Sequence, residues 1–276
     1  MSAIRRGLAL ALVVALALAG GCARNRAERG AKRDAAYVAR DAETLYTLAQ
    51  DTLRKRQYKT AAGLFDEVER QHPYSVWARR AQLMSAFSHY AARDYTQAIQ
   101  SAQRFLSLHP GNRDAPYAHY IIGMSYYEQI ADVSRDQSAT VSARDAFNEL
   151  VRRYPTSPYA ADARLKLDLI SDQLAGKEMA IGRFYAAQRL WLAAMRRFRK
   201  VVEEYQTTLQ VQEALYRLVE AHLAMGIPRE AVRAAAVLGT NYPGSPWYQR
   251  AYDLLHRHRV VWQAPTTPGG SGDRPG

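Results

Sequence analysis

"AAGLFDEVERQHP", residues 61–73, sets Ala61 twelve positions ahead of Pro73, with Phe65 and Val68 four and seven positions after the alanine. Steps of four and three residues place Ala61, Phe65 and Val68 on one face of a helix. Pro73 stops that helix, because the residue before a proline avoids helical dihedrals. The same frame returns at Ala98 to Pro110, Ala143 to Pro155, Ala194 to Gln206 and Ala231 to Pro243. Gln206 alone departs from proline. The fourth position after the alanine is Phe65, Ala102, Phe147, Phe198 and Ala235, and the seventh is Val68, Phe105, Leu150, Val201 and Leu238. One helix cannot bury such a stripe by itself, whereas stacked copies share a continuous core.

Working outward from each alanine, Tyr58, Tyr95, Thr140, Trp191 and Pro228 stand three residues earlier, where a turn closes before the second helix of a pair. A first helix precedes each turn. Its packing positions are Leu48 and Ala49, Ser85 and Ala86, Ile122 and Gly123, Ile181 and Gly182, and Leu218 and Val219, a small residue beside a larger one so that two helices approach closely. In the third pair eight residues are inserted between the helices. These paired helices, small crossing residues and proline stops resemble the tetratricopeptide repeat over most of the chain. The expected fold is all-α, a solenoid of five helix pairs plus a C-terminal capping helix. The alanines lie 37, 45, 51 and 37 residues apart, all above the roughly 34 of the standard repeat. The longest gap runs from Tyr159 to Leu190 without proline, with Ala163, Leu167, Ile170, Leu174, Ile181 and Tyr185 near heptad spacing. One helix of about 30 residues is predicted there. Ser245 to Arg259 is predicted to close the solenoid. The repeats then divide into residues 41–158, holding pairs one to three, and 159–259, holding pairs four and five with the linking and capping helices.

Ahead of the repeats, "LALAGGC", residues 16–22, contains the only cysteine. Arg5 and Arg6 followed by the apolar block Gly7 to Gly21 read as a secretory signal over residues 1–21. That block is shorter than the about 20 apolar residues a membrane span needs. Its end resembles the lipobox of bacterial lipoproteins, with Ala19 where leucine usually stands three residues before the cysteine. The resemblance implies that cleavage exposes Cys22 for acylation, and that Ala23, rather than aspartate, directs the chain to the outer membrane, facing the periplasm. Several acyl chains on one residue make a durable anchor, and an acylated Cys22 leaves no thiol for a disulfide. An ordinary signal peptide with an unrelated cysteine is the alternative. Residues 22–40 form a basic tether whose Arg24, Arg26, Arg29, Lys32 and Arg33 either hold lipid phosphates or keep a linker soluble. The Pro/Gly-rich segment within 260–276 is predicted to be a disordered tail. The formal charge of +12 raises a nucleic-acid partner, which export as a lipoprotein argues against, since an exported chain meets no genome.

Catalytic signals are poor. The histidines form no H-E-x-x-H and no i,i+4 pair, and the sequence contains no G-x-S-x-G, no phosphate-binding loop and no second cysteine. Helix packing is the simpler reading for His89 and His222, and solvated ion pairs for Glu67, Glu69, Glu203 and Glu204. No catalytic residue, metal site or cofactor is expected beyond the covalent lipid on Cys22.

Binding is the better prospect, since the first helix of each pair lines the hollow side of a solenoid. Read by offset, repeats one to three offer Tyr46, Gln50 and Leu53, then Leu83, Phe87 and Tyr90, then Tyr120, Met124 and Tyr127, with Tyr117 one turn earlier. Repeats four and five offer Met179, Arg183 and Ala186, then Tyr216, Glu220 and Leu223. Aromatic rings on a preformed wall suit an extended peptide with apolar anchors. Packing against neighbouring helices is the competing reading for each ring.

The lipobox, the five repeats and the segments "RDQS" (135–138), "RRYPTSPYAADARLKLD" (152–168) and "AAAVLGTNYPGSPWY" (234–248) together resemble the BamD family of outer-membrane lipoproteins of the β-barrel assembly machinery. The resemblance implies a non-enzymatic scaffold that docks on a BamA-type barrel subunit and accessory lipoproteins and receives unfolded outer-membrane proteins. It also implies a division of labour, with early repeats on substrate and later ones on subunits. On this reading Tyr46, Leu53, Leu83, Phe87, Tyr90, Tyr117, Tyr120, Met124 and Tyr127 form a peptide groove, and Arg183, Arg196, Arg197 and Glu220 dock subunits. A periplasmic repeat adaptor for cell-wall synthesis is the alternative.

Overall fold

The computed structural model describes residues 41–260, which form eleven α-helices and no strand. Cys22, the signal, the tether and residues 261–276 lie outside the described residues. The pairs are α1 (Ala42–Arg54) with α2 (Tyr58–Gln71), α3 (Val76–Ala91) with α4 (Tyr95–Leu108), and α5 (Ala115–Tyr127) with α6 (Ser138–Arg153). They continue as α7 (Pro158–Ala187) with α8 (Trp191–Glu204) and α9 (Gln210–Ala224) with α10 (Pro228–Asn241), followed by α11 (Pro246–Arg257). The fold is a tetratricopeptide-repeat solenoid. Helix α7 spans 30 residues. The residues expected in turns, Tyr58, Tyr95, Trp191 and Pro228, instead open the second helices.

Local chemistry explains both ends of these helices. Asp41, Ser75, Ser157 and Ser245 are N-caps whose side chains accept from backbone N–H groups of the first turn, each contributing about 1 kcal/mol. The second helices end at His72, His109, Tyr154, Tyr205 and Tyr242, all with φ between −126° and −139° and ψ between 43° and 58°. Four of them precede proline, which keeps the residue before it out of the helical region. Tyr205 reaches it before Gln206, so the missing proline does not shift the end of α8. The first helices of pairs one, two, four and five, and α11, end in a Schellman motif, with a left-handed residue bonding back to the last turn. Gly226 fills that place once, but Arg56, Arg93, Arg189 and Arg259 fill it elsewhere at φ of 59°, 61°, 59° and 55°.

Packing is layered. Helices α1, α3, α5, α7 and α9 touch in succession, whereas among the described residues the second helices do not pack backbone to backbone, and α4 reaches α2 through the Arg104 side chain, 3.6 Å from Glu69 and 3.9 Å from Asp66. The first helices therefore make the inner wall. Each pair is locked where the small inner-helix residue meets the fourth-position residue of its partner. A Cβ on Gly123 would stand 2.5 Å from the Phe147 ring, and one on Gly182 would overlap the Phe198 ring. The equivalent couples are Ala49 with Phe65, Ala86 with Ala102 and Val219 with Ala235, all buried. Large faces small in four of the five couples, which keeps total volume near native density, and Ala86 with Ala102 sets two small residues together. Leu48, expected in this contact, is exposed at 36%, while its neighbour Ala49 is fully buried. Helix α11 packs on α9 and α10 in the place of a sixth inner helix.

Candidate functional site on the inner wall

The inner wall carries three columns of side chains, and the first is a clasp between repeats. Tyr46 stacks on Trp77 at 4.9 Å, Tyr120 on Tyr159 at 5.3 Å and Tyr216 on Trp247 at 5.4 Å between ring centroids. Each ring reaches the second residue of the next inner helix, or of the capping helix. Tyr46 is 6% exposed and also meets Phe65 at 5.5 Å. It is a core residue rather than a free groove residue. Met179, in the same column, is fully buried. The sequence carries a signal for the clasp that offset reading missed: Trp77, Tyr159 and Trp247 each stand two residues after a serine cap. Arg80 and Arg250 add a cation over the Trp77 and Trp247 rings, at 5.4 and 4.6 Å.

In repeats one to three the remaining groove candidates are half-buried. Leu53 packs beside Trp77 on the first cluster, and Leu83, Phe87, Tyr90 and Tyr117 pack on the second. Met124 and Tyr127 pack on the third, with the Lys166 ammonium 5.1 Å from the Tyr127 ring. Tyr117 meets Tyr159 at 5.1 Å, and Tyr120 donates its hydroxyl to Asp162 Oδ2 at 2.7 Å. Burial pushes the Tyr117 hydroxyl up to about 12, aided by the neighbouring Tyr159 and Tyr90. Burial first, then the bond to Asp162, raises Tyr120 further. Both therefore stay neutral donors. The set is not one continuous trough. Tyr46 and Leu83 line a recess of about 770 Å³ with Met84, Phe105, Arg79 and Arg113, while Tyr127 lines a separate one of about 500 Å³ with Ile130 and Leu169.

In repeats four and five the middle column turns charged and closes on itself. Arg183 donates to Glu213 at 3.0 Å, and Arg217 bridges Glu213 and Glu220 at 3.2 and 2.9 Å. On the outer side, Arg197 and Lys200 both bond the buried Glu178, at 3.0 and 2.8 Å. Burial pushes the Glu178 carboxyl up, but bonds from Lys200 and Arg197 outweigh it and hold the group below its ordinary value. Trp191 separates two recesses. Arg183 and Glu220 line one, and Arg196 and Arg197 line the other, about 690 Å³ floored by Tyr185, Leu190 and Leu192. Of the four docking candidates only Arg196 lacks an ion-pair partner among the described residues. No group of His, Cys, Asp and Glu suited to a metal occurs among the described residues, and no described helix is long and apolar enough to cross a membrane.

The model of the YfiO family, described as outer membrane lipoprotein, matches residues 38–238. This chain belongs to the YfiO family. An outer membrane protein assembly factor BamD of Caulobacter vibrioides is 48% identical over 252 residues, covering 91% of this chain and 81% of that protein. The BamD of Rickettsia prowazekii is 41% identical over 91% of this chain and 97% of its own length. That of Neisseria gonorrhoeae is 35% identical over 76% and 82%. A thermophilic tetratricopeptide-repeat protein of Thermus thermophilus matches 78% of this chain and 99% of its own, at 17% identity and a TM-score of 0.36. The YfiO match leaves out the last three residues of α10 and the whole of α11, so it takes in both the tyrosine-lined and the ion-paired walls.

Proposed function

We propose that this chain is an outer-membrane protein assembly factor, held to the membrane by lipid on Cys22 and facing the periplasm. It acts by binding and not by catalysis. Repeats one to three receive unfolded segments of outer-membrane proteins, through Leu83, Phe87, Tyr90, Tyr117, Met124 and Tyr127 with the exposed edges of Leu53 and Tyr120. Repeats four and five dock a BamA-type barrel subunit and accessory lipoproteins, with Arg196 as the free cation at the apolar recess beside Trp191 and with Arg183, Arg197 and Glu220 at its margins. The observation that carries this reading is the change along the middle column, from Phe87 and Met124 to Arg183 and Glu220. Half-buried apolar side chains offer contact area at small entropic cost, whereas charged groups already paired give orientation more than affinity.

Purification of the acylated chain in mild detergent tests the division. Phe87→Ala with Tyr90→Ala is expected to lower affinity for a barrel protein's C-terminal peptide by ten-fold or more, on the scale of two truncated aromatic contacts, while the copurifying subunits stay. Arg196→Glu is expected to do the reverse. Equal loss of both partners in either variant overturns the assignment, and copurification of cell-wall synthases instead of barrel proteins favours an adaptor of another pathway.

A further inference from the structure

Consecutive helices run antiparallel, so the turns that join first to second helices share one edge of the solenoid. At repeats one and two this edge encloses a recess of about 470 Å³ lined by Arg56, Gln57, Tyr58, Lys59, Thr60, Ala91, Ala92 and Arg93. Lys55, Arg56, Lys59 and Arg93 are exposed, and none has an ion-pair partner among the described residues. The two carboxylates nearest along the chain are engaged elsewhere, Asp51 with Arg54 and Asp94 with the Gln97 N–H. Arg56 and Arg93 hold left-handed backbone at the position where repeat five has Gly226. Glycine meets the geometry of the turn without strain, so the turn itself does not call for arginine there.

We propose that this edge rests on the phosphate headgroups of the membrane that anchors the chain, laying repeats one and two against the lipid surface. The inference relies on the reading of Cys22 as the lipidated residue. Eighteen residues lie between Cys22 and Asp41, a stretch that can reach at most about 65 Å, while α1 is only about 20 Å long. The edge at the far end of α1 is therefore within reach of the anchoring leaflet. Three cations with no ion-pair partner among the described residues line one recess, with Lys55 beside it; together they complement a surface of phosphates, and the sequence from Arg24 to Arg33 adds further basic residues between Cys22 and the repeats. Each basic residue near an anionic surface favours the docked state by roughly five-fold.

The acylated full chain offers a clean test, since Cys22 is blocked and Thr60→Cys supplies a unique thiol for a fluorophore inside the recess. In vesicles of phosphatidylcholine with phosphatidylglycerol and a headgroup quencher, this reporter is expected to be quenched, and much less so in phosphatidylcholine alone. A reporter at Thr207, on the opposite edge, is expected to stay bright. Arg56→Gly with Arg93→Gly keeps the turn geometry and is expected to lower the docked-to-free ratio roughly 30-fold with the helical circular dichroism unchanged. Quenching that persists in the glycine variant, or that ignores lipid charge, overturns the proposal. Flotation separates the two readings: a chain that does not float with vesicles refutes the anchor and the proposal together, whereas one that floats with an unquenched Thr60 reporter refutes the edge alone.

Discussion

Met124 in repeat three and Arg183 in repeat four stand at the same place on their inner helices, four residues after Tyr120 and Met179. One adds to an apolar layer that includes Tyr127 and Phe147; the other leaves the core and pairs with Glu213 across to the next inner helix. Beneath them the lock is the same, glycine against phenylalanine, Gly123 on Phe147 and Gly182 on Phe198. The repeat thus separates two tasks within one helix. The side facing the partner helix fixes how the pair crosses, and the inner column is free to change chemistry without disturbing that crossing.

The largest effect expected from breaking the comparison lies in the lock, because it is common to both halves. Phe147→Ala and Phe198→Ala each remove a fully buried ring and are expected to cost about 3–5 kcal/mol in chemical denaturation. Gly182→Val overpacks the same contact and is expected to cost about 1–3 kcal/mol. Repeat five already uses the opposite arrangement, Val219 facing Ala235, so Gly182→Val combined with Phe198→Ala is expected to recover much of the loss. Recovery in repeat four, and the same in repeat three with Gly123→Val and Phe147→Ala, makes the lock a matter of volume. Costs that simply add make it specific to each repeat.

Much of this lock was legible in the sequence, since the recurrence at four and seven residues after each alanine reports helix faces directly. The inner wall was read less well, and the reason is physical. Periodicity tells which face a residue occupies but not how far the next repeat covers that face. Tyr46 and Met179 share a column with Tyr120, yet the covering aromatic or aliphatic residue of the following helix buries the first two more deeply. The αL arginines were invisible for a different reason: a Schellman turn usually announces itself by glycine, and here only Gly226 does.

Next in size is the pH response, which should pull the two halves apart. Unfolded tyrosine ionises near 10, whereas Tyr117 does so at about 12. The folded chain holds that proton more tightly, so its contribution is complete below pH 10 and is lost as pH rises toward 12. At about 1.4 kcal/mol for each unit, the effect is at most 2–3 kcal/mol, and Tyr117→Phe is expected to flatten the alkaline fall in stability. Glu178 runs the other way. Its lowered value means that its contribution is present above the ordinary carboxylate range and is lost as pH falls through the folded value. Arg197 and Lys200 are 39% and 38% exposed, so water screens the cluster, and Glu178→Gln is expected to cost only about 1 kcal/mol near neutral pH. Fluorescence of Trp77 beside the tyrosine wall and of Trp191 beside the ion pairs can follow the two halves separately. Parallel acid and alkaline curves for both would erase the distinction.

The smallest expected effect concerns the one repeat whose stop residue is missing. Tyr205 already holds φ of −126° and ψ of 43°, close to the φ of −132° to −139° and ψ of 55° to 58° found before Pro73, Pro110, Pro155 and Pro243, so Gln206→Pro asks for little change in the preceding residue. The Gln206 backbone N–H makes no backbone bond among the described turns, and the side chain gives up only a 3.4 Å contact to the Glu203 carbonyl. Proline would then act mainly on the unfolded chain, by removing conformations that folding must otherwise exclude. A gain of about 0.4–1 kcal/mol is expected, seen as a rise of roughly 1–4 °C in Tm. Because the interface between repeats four and five is built around Val201, Phe198 and Val211 and not around residue 206, the gain should appear in stability alone, with subunit association untouched. A loss of stability would mean that the turn after α8, unlike the other four, depends on the flexibility glutamine leaves it.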